Sequence, residues 1–555
     1  MSGSKWWMFH GDPCHTGEVT GSAINSGNVA RLKVLHDIPI PGPILSVPAL
    51  VDGKIYVGLA NTSGTPGING GQFLKIDAAT GKTLAEFRWE VPAGQGDSHG
   101  FMGMGCTPAI SEGKIYFFAF NAKLYCLDQE TLKPQWITDL RNPDPAHGQP
   151  VSNTLVFNAG DPNAAGWSSP VIAKGKVYVG TGEGENPALF GFVFCLDVNT
   201  GDVIWIYCTC QLQSNVPNLP NHLPACVVPG FLPAQFTVDA TIPPPAVRGC
   251  SVWSCIAYDE TLNRIFCTTG NPAPDGNLPT AGFSNGILAL DASTGLYQGF
   301  FQAPFESSYR PSDVDVDFGG SPMVYTLNGK RVLTAGCKNG GFFLLDAASM
   351  SLMKQRQLLP YYNDGSQIPT VDPHIPGTDN DLDPWVPNEV SNSVQQENFY
   401  GTYSTPAVHS GLGRLFMGVG GNNYHNVAAG IDSPTTPFLR AMDWETLVDA
   451  WPMDESNPRR YGQAQPPIYA VPGESGLSSP AVVNDVVFCS TSIVALYAFS
   501  AHDGTMLWQD RLGEQTGGLN GGYGYCLGPA VEGNYVVAGG LIFGANGGVL
   551  RVYSL

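Results

Sequence analysis

Charge is scarce in this sequence: 13% of its 555 residues are Asp, Glu, Lys or Arg, and only 27 are Lys or Arg against 47 acidic residues. With a formal net charge of −20 and no Lys/Arg cluster, nothing offers itself to a phosphate backbone, which excludes nucleic acid as a partner. Long apolar runs are missing too. The longest are strand-sized, far short of the roughly 20 residues a membrane helix needs, so no membrane span is expected. Met1 to Trp7 hold no apolar core of signal-peptide length; the chain as written reads as cytoplasmic, with a periplasmic or secreted location the alternative if a leader has been trimmed. No Cys-x-x-Cys-His occurs, so a covalent c-type haem is not expected. The 13 cysteines are odd in number, and Cys126, Cys195, Cys267, Cys337 and Cys489 fall inside apolar strand patterns, where a thiol behaves as a small hydrophobe. Cys208-Thr-Cys210 stands without a second cluster and reads as a pair of ordinary thiols.

Present instead are 43% hydrophobic residues, 68 Gly and 45 Pro, the glycines and prolines recurring between short β-rich runs. That distribution fits many strands joined by tight turns. One pattern repeats: a Pro-Ala-like start, an apolar strand ending near Tyr/Phe-Val-Gly, a strand running into Leu-Asp, then Thr-Gly and an aromatic strand. VPALVDGKIYVG with FLKIDAATGKTLAEF (47–58, 73–87) and SSPVIAKGKVYVG with FVFCLDVNTGDVIW (168–180, 192–205) are clear copies. Eight copies can be followed to the end of the chain. A three- or four-stranded sheet cannot bury both faces alone, and radial packing of such sheets solves this while leaving short edges. The expected fold is an all-β, eight-bladed β-propeller spanning residues 1–555 as a single domain; an open solenoid is the runner-up. The last copy stops at Leu555 without its outer strand, whereas Val29–Ile38 is a strand-like run without a blade, so the N-terminal segment is expected to complete the last blade. Three insertions, near 206–248, 355–400 and 452–475, are too long for turns and are placed over the mouth of the ring as a lid.

The fourth copy departs from the pattern. It carries GCSVWSCIAYD (249–259), then TTGNPAP (268–274), then DVDVDFGGSP (313–322) leading into GCKNGG (336–341). These runs resemble the pyrroloquinoline-quinone (PQQ)-dependent alcohol dehydrogenases, including the polyvinyl-alcohol dehydrogenase-like branch. The resemblance implies that Trp253 is the indole on which the flat quinone rests, an aromatic platform for an extended π-system. It implies that Asn271 and Glu185 are oxygen ligands of a metal ion, Ca²⁺ or a lanthanide, with Glu183 the rival of Glu185. Asp315 aligns with the catalytic carboxylate, which also sits on the metal, and Asp317 with a second metal-binding aspartate of the lanthanide-using branch. Residues i and i+2 of a strand share a face, so both reach one ion if the segment is extended. Lys338 takes the position of a Lys or Arg aimed at the quinone carbonyls, where a fixed cation stabilises the reduced cofactor. Competing readings stand beside these: a Trp packed between blades, an Asn-Pro turn and a solvated acidic loop.

Several groups the resemblance leads one to expect are missing. No adjacent Cys pair exists for a vicinal disulfide, Leu45 stands where blade one offers a Glu, and Met-Gly-Cys106-Thr-Pro replaces an Arg of blade two. Arg248, Arg310 or His425 are the candidate substitutes for holding the quinone carboxylates. The implied function is oxidation of an alcohol or polyol, small or polymeric, with electrons passed to a separate acceptor. A non-catalytic binding or assembly propeller without PQQ is the alternative, and a hydrolase or lyase using the same carboxylates is a third.

Overall fold

The computed structural model describes residues 5–61, 70–91, 101–140, 166–182, 191–209, 250–270, 283–303, 317–338, 340–358, 403–419, 438–451, 478–491, 495–511, 528–541 and 548–555. Their strands form eight separate sheets, each antiparallel within itself apart from one short parallel addition. Blade three is typical: Val171–Ala173, Lys176–Thr181, Phe192–Asp197 and Val203–Cys208 pair in chain order, from the inside outwards. Innermost strands of neighbouring blades touch, and Ala49–Val51 of blade one meets Ala530–Glu532 of blade eight. The ring is closed, which rules out the solenoid. Blade six is the exception to four strands: Ala407–His409, Arg414–Gly418 and Leu439–Asp443 form its sheet, and its outer edge is reduced to a bridge between Met442 and Asp449.

The repeated residues have physical reasons. In the turn after the third strand, Asp77, Asp128, Asp291 and Asp443 each accept hydrogen bonds from the backbone N–H and hydroxyl of the Thr three residues on. The next residue has a left-handed φ, which Gly takes without strain in several copies, +75° at Gly201 and +71° at Gly295, while Leu132 and Leu447 hold it in two others. Each of these two glycines also receives the indole of the preceding blade: a Cβ on Gly201 would lie 2.6 Å from Trp136, and one on Gly295 2.6 Å from Trp205. Those indoles donate to Val198 and Ala292 carbonyls of the blade they dock on, at 3.2 and 3.3 Å. Thr-Gly and the closing aromatic are therefore two halves of one joint between blades.

The seam follows the same plan. Strand Lys33–Ile40 pairs with Gly548–Ser554 and completes blade eight, as the chain ends suggested. The first part of the expected run differs: Val29–Arg31 is a single 3₁₀ turn, because the Val29 N–H bonds the Asn25 carbonyl and the Asn28 side chain folds back on the Asn25 N–H. At the position of the docking indole this strand carries His36, whose Nε2 is 2.8 Å from the Ala79 carbonyl and whose ring packs on Gly81.

What precedes the seam carries no strand period and was not expected. Residues Lys5–Val19 run along the inner edge of the blades. The N–H of the middle residue of an innermost strand donates to this segment in blades one, two, four and seven, at Leu50→Trp6, Ile110→Trp7, Tyr258→Pro13 and Val482→Gly17 (2.7–2.8 Å). Val324→Cys14 and Val408→Thr16, both 2.9 Å, add blades five and six. These are the edges that face the axis, and the segment satisfies them as it lines the channel. His10 and His15 are buried there, bonded to the Pro480 and Pro322 carbonyls.

The core cysteines are as expected: Cys126, Cys195, Cys267, Cys337 and Cys489 are all buried, and burial pushes the Cys126 thiol up to about 11. The first residues of two expected insertions belong instead to strands Val203–Cys208 and Leu352–Gln357. The rest of these insertions, and hence the lid, lies outside the described residues, as does Cys210. Among the described residues no helix is long and apolar enough to cross a membrane.

Candidate functional site

Tight turns occupy one face of the ring, and the long connections leave from the other, where innermost strands begin. On that second face most innermost strands are entered through a small residue and a proline, with Cys255-Ile256 in blade four the exception to the proline. The small residues link around the axis: the Cys255 N–H donates to Ser321 Oγ, Ser321 to Thr405 Oγ1 and Thr405 to Ser479 Oγ, at 2.9–3.0 Å. Two residues before each member of this ring the chain passes one equivalent point beside the axis, occupied by Leu45, Trp167, Trp253 and Tyr403 in blades one, three, four and six.

Blades four, five and six bring three of the predicted site residues together there. Trp253 is partly buried, and its Nε1–H donates to Asp317 Oδ2 at 2.9 Å. Asp317 is wholly buried, and its Oδ1 lies 2.8 Å from Lys338 Nζ. The Lys338 backbone N–H donates to the Asp317 carbonyl at 2.8 Å, which locks the two segments side by side. Phe318, buried against Phe343, fixes the register that turns Asp317 to the axis. Lys338 Nζ lies 5.0 Å from the Trp253 ring centroid and 5.5 Å from that of Tyr403. A carboxylate and an ammonium this buried hold each other's charge, since either alone carries a large desolvation penalty.

The neighbouring backbone is close-packed. A Cβ on Gly270 would lie 2.6 Å from Ser251 Oγ and 3.1 Å from Asp317 Oδ2, and one on Gly182 would lie 2.5 Å from Ser251 Cβ. The ends of three blades therefore converge on Ser251. Thr181 Oγ1 and Asn285 Oδ1 are buried without a hydrogen-bond partner, two polar atoms left over on this face. Glu183, Glu185, Asn271 and Asp315 lie outside the described residues. So do Arg248, Arg310 and His425. Among the described residues no three His, Cys, Asp or Glu side chains gather as a metal cluster.

Toward blades one to three the character changes. Leu45 packs with Ala60, Phe101, Phe120 and Trp167, the Phe120 and Trp167 rings 4.9 Å apart. Cys106 Sγ is tied to the Phe118 carbonyl at 3.1 Å. Tyr403 was not singled out from the sequence. Its register, two residues before Thr405 as Trp253 is two before Cys255, was the available signal.

Comparison with known proteins finds relatives of the same architecture. A family model described as the glucose/ethanol/alcohol dehydrogenase β-propeller domain matches residues 154–349, and one described as outer membrane protein assembly factor BamB matches 42–207. The dehydrogenase subunit of the quinone alcohol dehydrogenase of Komagataeibacter europaeus is 29% identical over 58% of this chain and 42% of its own length. The quinohemoprotein alcohol dehydrogenase ADH IIB of Pseudomonas putida is 24% identical over 88% of the chain and 66% of its own length. These matches support a likeness to the PQQ-dependent alcohol dehydrogenase-like eight-bladed β-propellers. The chain spans about two fifths of the length of the first of these relatives, 42%. A europium-containing methanol dehydrogenase superposes with a TM-score of 0.65 at 17% identity, covering 100% of this chain and 98% of that one, which is a likeness of fold.

Proposed function

We propose that this propeller oxidises an alcohol, with PQQ held against Trp253 and a metal ion beside Asp317. One observation carries the reading: a partly buried indole, a buried carboxylate and a buried ammonium meet at one point on the axial face. The residues present fit a flat anionic quinone there. Trp253 offers the platform, Lys338 the cation for its carbonyl side, and the Thr181 hydroxyl, without a partner among the described residues, a donor on a residue whose carbonyl accepts from the Val252 N–H at 3.0 Å. When bound, the quinone supplies the acceptor for the carbinol hydrogen with its electron pair, and the ion supplies Lewis acidity. The part of this chain is to orient the alcohol and to take its hydroxyl proton on a carboxylate.

Asp317 is our choice for that carboxylate, since it is in contact with both Lys338 and Trp253; Asp315, Glu185 and Asn271 are proposed as further ligands of the ion. Calcium or a lanthanide both suit an all-oxygen set. Electrons then pass to a separate acceptor, and the substrate is a primary or secondary alcohol or a polyol.

A second reading, a propeller that binds or assembles without PQQ, is favoured by the apolar cluster around Leu45 and by Cys106, which occupy the places of two expected polar anchors. Reconstitution separates the two. Purified protein is incubated with PQQ and either Ca²⁺ or a light lanthanide, then assayed for quinone absorbance and for dye reduction with simple alcohols. Binding lost in Trp253→Ala and dye reduction lost in Asp317→Ala support the enzyme; no binding by the wild type sinks it.

A further inference from the structure

We infer that Tyr403 is a positioning residue: its ring is the second wall of an aromatic clamp that holds the Lys338 ammonium in place over Trp253. The inference rests on the reading above for its purpose, but not for its geometry. Lys338 Nζ has three directions to satisfy in a place almost closed to water. One is taken by Asp317 Oδ1 at 2.8 Å. The Trp253 face lies on another side at 5.0 Å, and the Tyr403 face on a third at 5.5 Å. Both distances fall within the range over which the negative face of a ring attracts a cation, roughly 6 Å, and the attraction is stronger where water is excluded.

The three contacts come from three different blades. Trp253 precedes the innermost strand of blade four, Lys338 follows the second strand of blade five, and Tyr403 precedes the innermost strand of blade six. Trp253 and Tyr403 each stand two residues before a member of the hydrogen-bond ring that joins Cys255, Ser321, Thr405 and Ser479, and Lys338 is held by its backbone N–H on the Asp317 carbonyl. A four-carbon side chain with free rotors would otherwise wander. Asp317 supplies the charge, and the two rings supply the walls. Removing the Tyr403 wall leaves the ion pair but lets the ammonium leave the indole face, where the quinone is proposed to lie. The ring, and not the phenol hydroxyl, performs this role, so phenylalanine is the conservative replacement.

The test uses the full-length protein without cofactor. Lysines are acylated under limiting reagent, and the rate at Lys338 is followed by peptide mass spectrometry in wild type, Tyr403→Leu and Tyr403→Phe. Lys75, equally buried and paired with Glu130 between blades one and two, is the internal control. The expected result is a rise at Lys338 in Tyr403→Leu of between about 2-fold and about 30-fold, the range for removing one ring face from a desolvated ammonium. Tyr403→Phe should match wild type, and Lys75 should not change in either. Three outcomes overturn the inference: no rise in Tyr403→Leu, an equal rise in Tyr403→Phe, or a parallel rise at Lys75, which would mean general loosening. Because no quinone is present, a clamp upheld by this assay in a protein that fails to bind PQQ would leave the inference standing and sink the proposed function.

Discussion

Asp317→Asn removes one charge from the axial site and almost no volume. The amide oxygen still accepts from Trp253, so what changes is that the Lys338 ammonium, nearly closed to water, loses its counter-charge. Breaking a buried pair from one side costs about 3–5 kcal/mol, because the surviving charge stays desolvated. Unfolding entropy of about 2 cal/mol/K per residue makes the transition of a ring this size steep, so that loss lowers Tm by only about 3–4 °C if the ring melts as one unit. Calorimetry on cofactor-free protein resolves such a shift, and urea titration gives the free energy directly. Asp317→Asn/Lys338→Met, which replaces the pair by neutral side chains of similar size, should recover most of the loss and leave a coupling energy of about 2 kcal/mol or more. If the single variant is as stable as wild type, or the double variant is no better than the sum of its parts, Asp317 and Lys338 do not hold each other's charge and the site has been misread.

Other perturbations test separate parts of the molecule. Trp253→Phe keeps an aromatic platform but loses the N–H that reaches Asp317 Oδ2; quinone affinity should fall only a few-fold while turnover drops about 10- to 100-fold, the worth of a hydrogen bond to a charged group. Equal losses in Trp253→Phe and Trp253→Ala would refute the second role. Gly201→Ala puts a Cβ 2.6 Å from the Trp136 indole at φ +75° and should destabilise the joint of blades two and three by about 2 kcal/mol or more in urea unfolding. His15 is held neutral inside the channel, lowered to about 3 by burial and by the nearby His10. The unfolded chain therefore binds more protons below its ordinary value of about 6.5, and stability should be full above that pH and decline from there toward pH 3, by up to about 1.4 kcal/mol per pH unit. His15→Gln should flatten that decline; an unchanged slope would show that the titration lies elsewhere.

How much of this was legible in the sequence depends on how local each cause is. The apolar strand pairs running into Asp recur along the chain, with Thr-Gly and a docking indole in several copies, so the count of blades is legible, and the missing outer strand of the last copy points to the seam. The channel segment was not legible. Trp6, Pro13 and Gly17 show no strand period, and their partners Leu50, Tyr258 and Val482 lie tens to hundreds of residues away. Within the site, Asp313, Asp315 and Asp317 share one alternation, and sequence favoured Asp315 for the catalytic place. The burial of Phe318 and the backbone bond from Lys338 are tertiary facts, and they put Asp317 against the cation. Tyr403 was missed because its blade was read for strands and not for the residue two before the Ser/Thr-Pro corner.

The channel segment also bears on how the site can work. Lys5–Val19 satisfies the inward-facing edges of blades one, two and four to seven, and on the proposed function alcohol, quinone and electron acceptor meet the protein at the face where Trp253 and Lys338 lie. That face is uneven. Blades four to six present an indole, a carboxylate and an ammonium, whereas blades one to three present Leu45, Phe101, Phe120 and Trp167. A tricarboxylate lying flat across the axis would meet Lys338 at one edge and apolar surface at the other, where each unpaired carboxylate costs several kcal/mol or stays in water. Cations from the long connections, with Arg248 and Arg310 the nearest in sequence to the site, are what the proposed function requires at that second edge. Their replacement should therefore weaken PQQ binding while leaving the Asp317–Lys338 coupling intact.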